Sequence, residues 1–96
     1  MQVINRTVSG PVTLSENTEL WGTILGDVRV SASCKLEVKG RIEGDVTVEK
    51  DALLQVDGAV IGDVQNAGRV EVYGILRGQV VDYDGEIYID ERAMIL

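Results

Sequence analysis

The sequence predicts an all-β protein wound as a single-stranded parallel β-helix. Five to six short coils of 16–18 residues would form one domain over residues 1–96. Two observations predict this. First, a seven-residue phrase recurs: GTILGDV (Gly22 to Val28), GRIEGDV (Gly40 to Val46), GAVIGDV (Gly58 to Val64) and GILRGQV (Gly74 to Val80). Its first glycines are spaced 18, 18 and 16 residues apart, and a fixed period of this size is the mark of a solenoid. Second, the runs between the phrases alternate. Val28, Val30, Leu36 and Val38 interleave with Arg29, Glu37 and Lys39, and Val46, Val48, Leu54 and Val56 with Thr47, Gln55 and Asp57. Alternation with period two puts one set of side chains inside and the other in water. The runs are rich in Val and Ile, as strands are, and none holds the three-and-four spacing of a helix. At about 3.3 Å per residue, three short strands per coil enclose a narrow core, and successive coils stack at about 4.8 Å.

Stacking turns the period into columns. Val8, Ile24, Ile42, Val60 and Leu76 form one inward column, and Val12, Val28, Val46, Val64 and Val80 a second. A third begins with Leu14, Val30 and Val48 and then meets Asn66 and Asp82. The break falls where QNAG replaces the longer corners SASCK and EKDA, and Asn66 reads as a local turn residue of that tightened corner.

Taken in order, Met1 to Asn5 is an apolar entry strand or cap. RTVSGPV (Arg6 to Val12) opens the first coil in the frame of the repeat, and Leu14, Thr18 and Leu20 face inward. Pro11, the one proline, sits in that first coil, where a missing strand N–H costs least. Trp21 points out, in one column with Lys39, Asp57 and Tyr73. Gly22 to Gly74 holds the three best copies. A degenerate copy follows, in which Ile87 and Ile89 face in and Tyr88 out, and DERAMIL (Asp90 to Leu96) begins a sixth coil.

Composition narrows the function. A hydrophobic fraction of 45% with 4% aromatic suits an aliphatic core too thin for many rings. A net charge of −7 argues against nucleic acid and for a basic partner, if any. No signal-peptide pattern and no apolar run of membrane-spanning length is present, so a cytoplasmic protein without membrane insertion is expected. Cys34, the single cysteine, aligns with Ala52 at an inward corner and reads as a small buried thiol.

The candidate sites are columns and ends. Gly26–Asp27, Gly44–Asp45 and Gly62–Asp63 stack at the turns. Glycine permits the bend, and each Asp is expected to cap backbone N–H groups of its own corner. A cation held by this column is the weaker reading, because the GGxGxD form of calcium-binding coils is missing. Glu19, Glu37 and Glu71, with Gln55 between them, form an acidic face that suits a basic protein. Leu25, Ile61 and Ile75 read as an outward apolar patch near Tyr73. The ends matter more. An open solenoid exposes unpaired strand edges and uncapped core. Val3 and Ile4 at the start and Met94, Ile95 and Leu96 at the finish are apolar, so they are the expected self-association sites. With no histidine, Ser–His, Cys–His and histidine–metal sites are absent, and neither an enzyme nor a cofactor is expected.

GRIEGDVTVEKDALLQVDGAVIGDV (Gly40 to Val64) resembles the bactofilins, the polymer-forming bacterial cytoskeletal family, whose coils repeat a glycine, an aliphatic residue and then Gly-Asp-aliphatic. The resemblance implies a right-handed β-helix, nucleotide-free polymerisation through the helix ends and a scaffold role in the cell. The resulting expectation is a non-enzymatic scaffold whose partner is another copy of itself, as homo-oligomer or filament. An alternative stays open: a small acidic immunity-type protein that neutralises a basic toxin or nuclease.

Overall fold

Alternation sets the strands, and glycine sets the bends between them. The computed structural model describes the whole chain, Met1–Leu96. The first coils carry β1 (Gln2–Ile4), β2 (Thr7–Ser9), β3 (Val12–Leu14), β4 (Thr18–Leu20), β5 (Thr23–Leu25) and β6 (Val28–Val30). The middle carries β7 (Lys35–Val38), β8 (Arg41–Glu43), β9 (Val46–Val48), β10 (Leu53–Val56), β11 (Ala59–Ile61) and β12 (Val64–Asn66). The last coils carry β13 (Arg69–Val72), β14 (Ile75–Arg77), β15 (Val80–Asp82), β16 (Glu86–Ile89) and β17 (Met94–Ile95).

Every third strand stacks on its predecessor. Sheet A runs β1-β4-β7-β10-β13-β16, sheet B β2-β5-β8-β11-β14-β17 and sheet C β3-β6-β9-β12-β15. All pairings are parallel, as a chain winding in one sense requires. The protein is therefore an all-β solenoid of about six turns with no helix.

The expected columns are realised in register. Ile24, Ile42, Val60 and Leu76 stack through sheet B. Val28, Val46 and Val64 stack through sheet C. Sheet A adds Leu20, Val38, Val56 and Val72. All of these are 0–2% exposed, so the core is a stack of aliphatic rings. Each fully buried Leu, Ile or Val contributes about 1.5–3 kcal/mol by leaving water.

Glycine is required where coils touch backbone to backbone. A Cβ on Gly40 would lie 1.9 Å from the Gly22 carbonyl oxygen, and one on Gly44 would lie 2.2 Å from that of Gly26. Gly44 also has φ +158°, which side-chain-bearing residues rarely adopt. The two glycine columns are thus a condition of the stacking distance.

Two expectations change. Asn66 is a member of β12, fully buried at 0% exposure, and more than a turn residue. Its Nδ2 donates to Asp82 Oδ1 at 3.0 Å and to the Glu86 carbonyl at 3.1 Å, while its Oδ1 accepts from Gly68 N at 3.0 Å. Both N–H donors and the oxygen are bonded, so a core amide is tolerated beside the shortened corner. Cys34 packs against the core but is half-buried, because its corner is a turn open to solvent on one side.

Substituting Gly40→Ala should cost about 3 kcal/mol or more in urea unfolding, since backbone atoms would have to move. Arg41→Ala, one residue on and exposed, should stay within about 0.5 kcal/mol of the parent. Equal effects would mean that the coils tolerate a wider spacing at this corner.

Candidate functional site

The aspartates at the turns reach along the solenoid axis. Asp27 Oδ1 accepts from Asp45 N at 3.0 Å, Asp45 Oδ1 from Asp63 N at 2.9 Å, and Asp63 Oδ1 from Gln79 N at 3.0 Å. Each carboxylate therefore caps the next coil, and not its own corner as expected. The reason is geometric: a period of 18 residues, or 16 at the last step, sets one corner directly over the previous one, within hydrogen-bond reach. A hydrogen bond to a charged acceptor offsets the repulsion between stacked carboxylates. Nowhere do three ligand-type side chains converge on a point that suits a metal ion.

The acidic column lies on sheet A in the order Val3, Glu19, Glu37, Gln55, Glu71, Tyr88. Its carboxylates are already engaged. Glu19 accepts from Trp21 Nε1 at 3.0 Å, Glu37 pairs with Lys35 Nζ at 2.9 Å, and Glu71 pairs with Arg69 Nε at 2.8 Å. Beside it, Lys39 Nζ meets Asp57 Oδ2 at 2.8 Å and sits 6.0 Å from the Trp21 ring centre. The last coil repeats the pattern, with Asp90 held by Arg92 at 2.7 Å and Tyr73 tilted against Tyr88 at 5.8 Å between centroids.

These contacts move the carboxyl pKa values. The Arg69 hydrogen bond holds Glu71 below the usual carboxylate value. Burial pushes Asp57 up, but hydrogen bonds from Lys39 and Gln55 outweigh it and leave the group lowered. Arg92 lowers Asp90 through both its side chain and its backbone N–H.

The outward apolar patch divides. Leu25 and Ile61 share one column of sheet B, but Glu43 stands between them and pairs with Arg41. Leu25 is thus an isolated exposed residue. Ile75 belongs to the neighbouring column, between Ala59 and Met94. Ile61, Ile75 and Met94 therefore lie at the C-terminal part of sheet B. Tyr73, half-buried, lies in the bend after β13, between sheets A and B. The sequence placed these residues on one side of the coil without counting the coils between them.

The ends differ from each other. At the N-terminal end Val3 is 52% exposed, whereas Ile4 is 3% exposed and belongs to the core, as does Leu14 at 3%. Ile4 is therefore set apart from the end residues with which it was grouped. At the C-terminal end Met94, Ile95 and Leu96 are 53%, 44% and 63% exposed. Ile87 and Ile89 sit in register over Val70 and Val72, as expected of inward residues, yet they are 38% and 48% exposed. They close two inward columns with no coil above them. Sequence reasoning assigned them to the core from their place in the inward columns alone.

A groove of about 380 Å³ opens at the corner between sheets C and A, where only Ala67 and Gly68 separate β12 from β13. Lys50, Asp51, Arg69 and Glu86 line it, and both signs of charge are present.

The class these strands define is the all-parallel β-solenoid. The family model Bactofilin, described as polymer-forming cytoskeletal, matches residues 4–95. The chain belongs to the bactofilin family, which is structural and not a family of enzymes. No curated protein and no solved structure gives a significant match to it. No helix is long and apolar enough to cross a membrane.

Replacing Asp45→Ala should destabilise the fold by about 0.5–1.5 kcal/mol, because Asp63 N exchanges its carboxylate acceptor for water. Asp45→Asn, which keeps an acceptor oxygen, should cost less than half as much, and added Ca²⁺ should leave both melting curves unchanged. A Ca²⁺-dependent rise in the parent's melting temperature would instead assign the column to a cation.

Glu71, Asp57 and Asp90 have folded pKa values below their ordinary values of 4.5, 3.8 and 3.8. They add stability above those values and lose it as pH falls through the lower folded ones. Melting temperature should therefore be level between about pH 8 and 5 and fall below about pH 4. Arg69→Gln should shrink that fall, and an unchanged acid limb would remove the Arg69–Glu71 pair from the account.

Proposed function

We propose that this chain is a non-enzymatic scaffold subunit that assembles through the ends of its solenoid, with the C-terminal end as the main contact. One observation carries the reading. Inward columns that are 0% exposed at Val70 and Val72 end in Ile87 and Ile89, at 38% and 48%. An uncapped core and the bare edges of β16 and β17 are the features that natural solenoids cover. A second copy supplies the missing cover at no cost in new chemistry.

The asymmetry of the ends favours contact of like with like. Ile87, Ile89 and Ile95 of two copies cover each other across a two-fold axis, which yields a closed pair. Longer polymers then need the N-terminal end as well, where Val3 is the exposed apolar residue of the first strand. The side faces supply less. Leu25 stands alone, and the acidic face that an inhibitor of a basic toxin or nuclease would use is occupied by Trp21, Lys35 and Arg69.

Ile89→Lys should weaken self-association at least about tenfold in sedimentation velocity, since it sets a charge into the contact. Circular dichroism should remain that of the parent, because Ile89 has no coil above it to disrupt. Leu25→Lys should associate like the parent. Undiminished assembly of Ile89→Lys would move the contact away from this end.

A further inference from the structure

We infer that the C-terminal contact between two copies is gated by charge: an acidic rim around the apolar end holds subunits apart until it is screened. This rests on the end-contact reading above. Residues 82–96 contain Asp82, Asp84, Glu86, Asp90 and Glu91 against the single base Arg92, a balance of −5 + 1 = −4. The whole chain carries −7, so more than half of the net charge lies in the last fifteen residues. Residues 1–18, by contrast, hold one Arg6 and one Glu16 and sum to zero among side chains.

This charge lies where the apolar end is open. Asp82 closes β15, Glu86 opens β16 and Asp90 follows β16, so the acids flank the strands that carry Ile87 and Ile89. Part of the rim is compensated within the chain, as Arg69 bridges to Glu86 at 2.6 Å and Arg92 to Asp90 at 2.7 Å. Asp82 accepts hydrogen bonds from Asn66 and Gly85 but has no cationic partner. Asp84 and Glu91 are exposed and have no ion pair at all. Two-fold contact brings this unpaired acidity face to face across a short gap. The repulsion reaches about 30 Å at 0.01 M salt and about 8 Å at 0.15 M. Raising the salt shortens the range over which the facing acids repel, so ionic strength tunes the balance between repulsion and apolar attraction.

The sign of the salt effect separates this contact from its rivals. A head-to-tail stack sets the acidic end against an end whose side chains sum to zero, so salt should change it little. A basic partner sets it against lysines or arginines, an attractive pairing that salt weakens. The like-with-like contact is strengthened by salt.

The test is sedimentation equilibrium of the full chain in NaCl from about 10 to 150 mM, beside the double variant Asp84→Asn/Glu91→Gln. Asparagine tolerates the φ of +62° found at Asp84, so the variant keeps the backbone of that turn. The dissociation constant of the parent should fall at least about tenfold over the series. The variant at low salt should match the parent at high salt and show a flattened salt dependence. Association that weakens with salt, or that does not respond, overturns the gate. A variant with the parent's full salt slope also overturns it, because the effect would then be general salting-out. Ile89→Lys keeps the two layers apart. If it associates like the parent, the end contact and the gate fall together. If it abolishes association while salt has no effect on the parent, the gate alone falls.

Discussion

The stacking distance of parallel strands, about 4.8 Å, is the constraint on which the rest of the molecule depends. It makes every residue a neighbour of the residue one coil away, so each position must suit copies of itself above and below. Columns of Val, Leu and Ile satisfy this by interlocking. Gly22 and Gly40 satisfy it by having no Cβ to collide with the carbonyl of the preceding coil. Asp27, Asp45 and Asp63 satisfy it by turning like charges into a chain of acceptors, each bound to a backbone N–H of the next coil. A repeated carboxylate would otherwise be the worst choice at this spacing, since neighbouring charges repel by about 1 kcal/mol even in water.

The same constraint explains why the ends matter. An inward residue is buried by its two axial neighbours and by the opposite sheets together. Remove one axial neighbour and a residue of the same type acquires a different fate. Ile42 is 0% exposed, while Ile89 is 48% exposed. Position at the end of the stack, more than residue type, separates the two isoleucines.

Much of the fold was legible because one arithmetic rule, adding 18 or 16, generates the register. The columns of Ile24 and Val28 follow from it directly, and so do the acidic column and the outward Trp21–Lys39–Asp57–Tyr73 row. What escaped were contacts that the rule does not generate. Asn66 is held by Asp82 and the Glu86 carbonyl, partners made available by a local two-residue shortening. Leu25 and Ile61 obey the rule but are two coils apart, and Glu43 occupies the step between them. The acidic face lost its freedom through pairs between neighbouring outward positions, such as Arg69 with Glu71, whose rotamers no sequence pattern declares. Ile4 and Ile89 are both terminal members of inward columns. Ile4 is 3% exposed and Ile89 48%, a difference that the column pattern, which treats both alike, does not contain.

An exposed apolar end surrounded by acids reconciles two demands that conflict in any stacking protein. The end must be sticky enough to find another copy, yet an open strand edge invites pairing with any strand it meets. Aliphatic side chains such as Ile87, Ile89 and Ile95 attract without regard to partner, as area-driven burial does. Charge is selective by distance and by sign. Asp84 and Glu91 repel other acidic chains at long range and leave the apolar contact intact at short range. Buried Ile4 and Leu14 make the opposite end a weaker competitor for the same partners. On the gate proposed above, the chain stays dispersed where its charge is unscreened and joins through this face once it is screened. On the proposed end contact, the acids that composition assigns to a basic partner belong instead to the assembly surface.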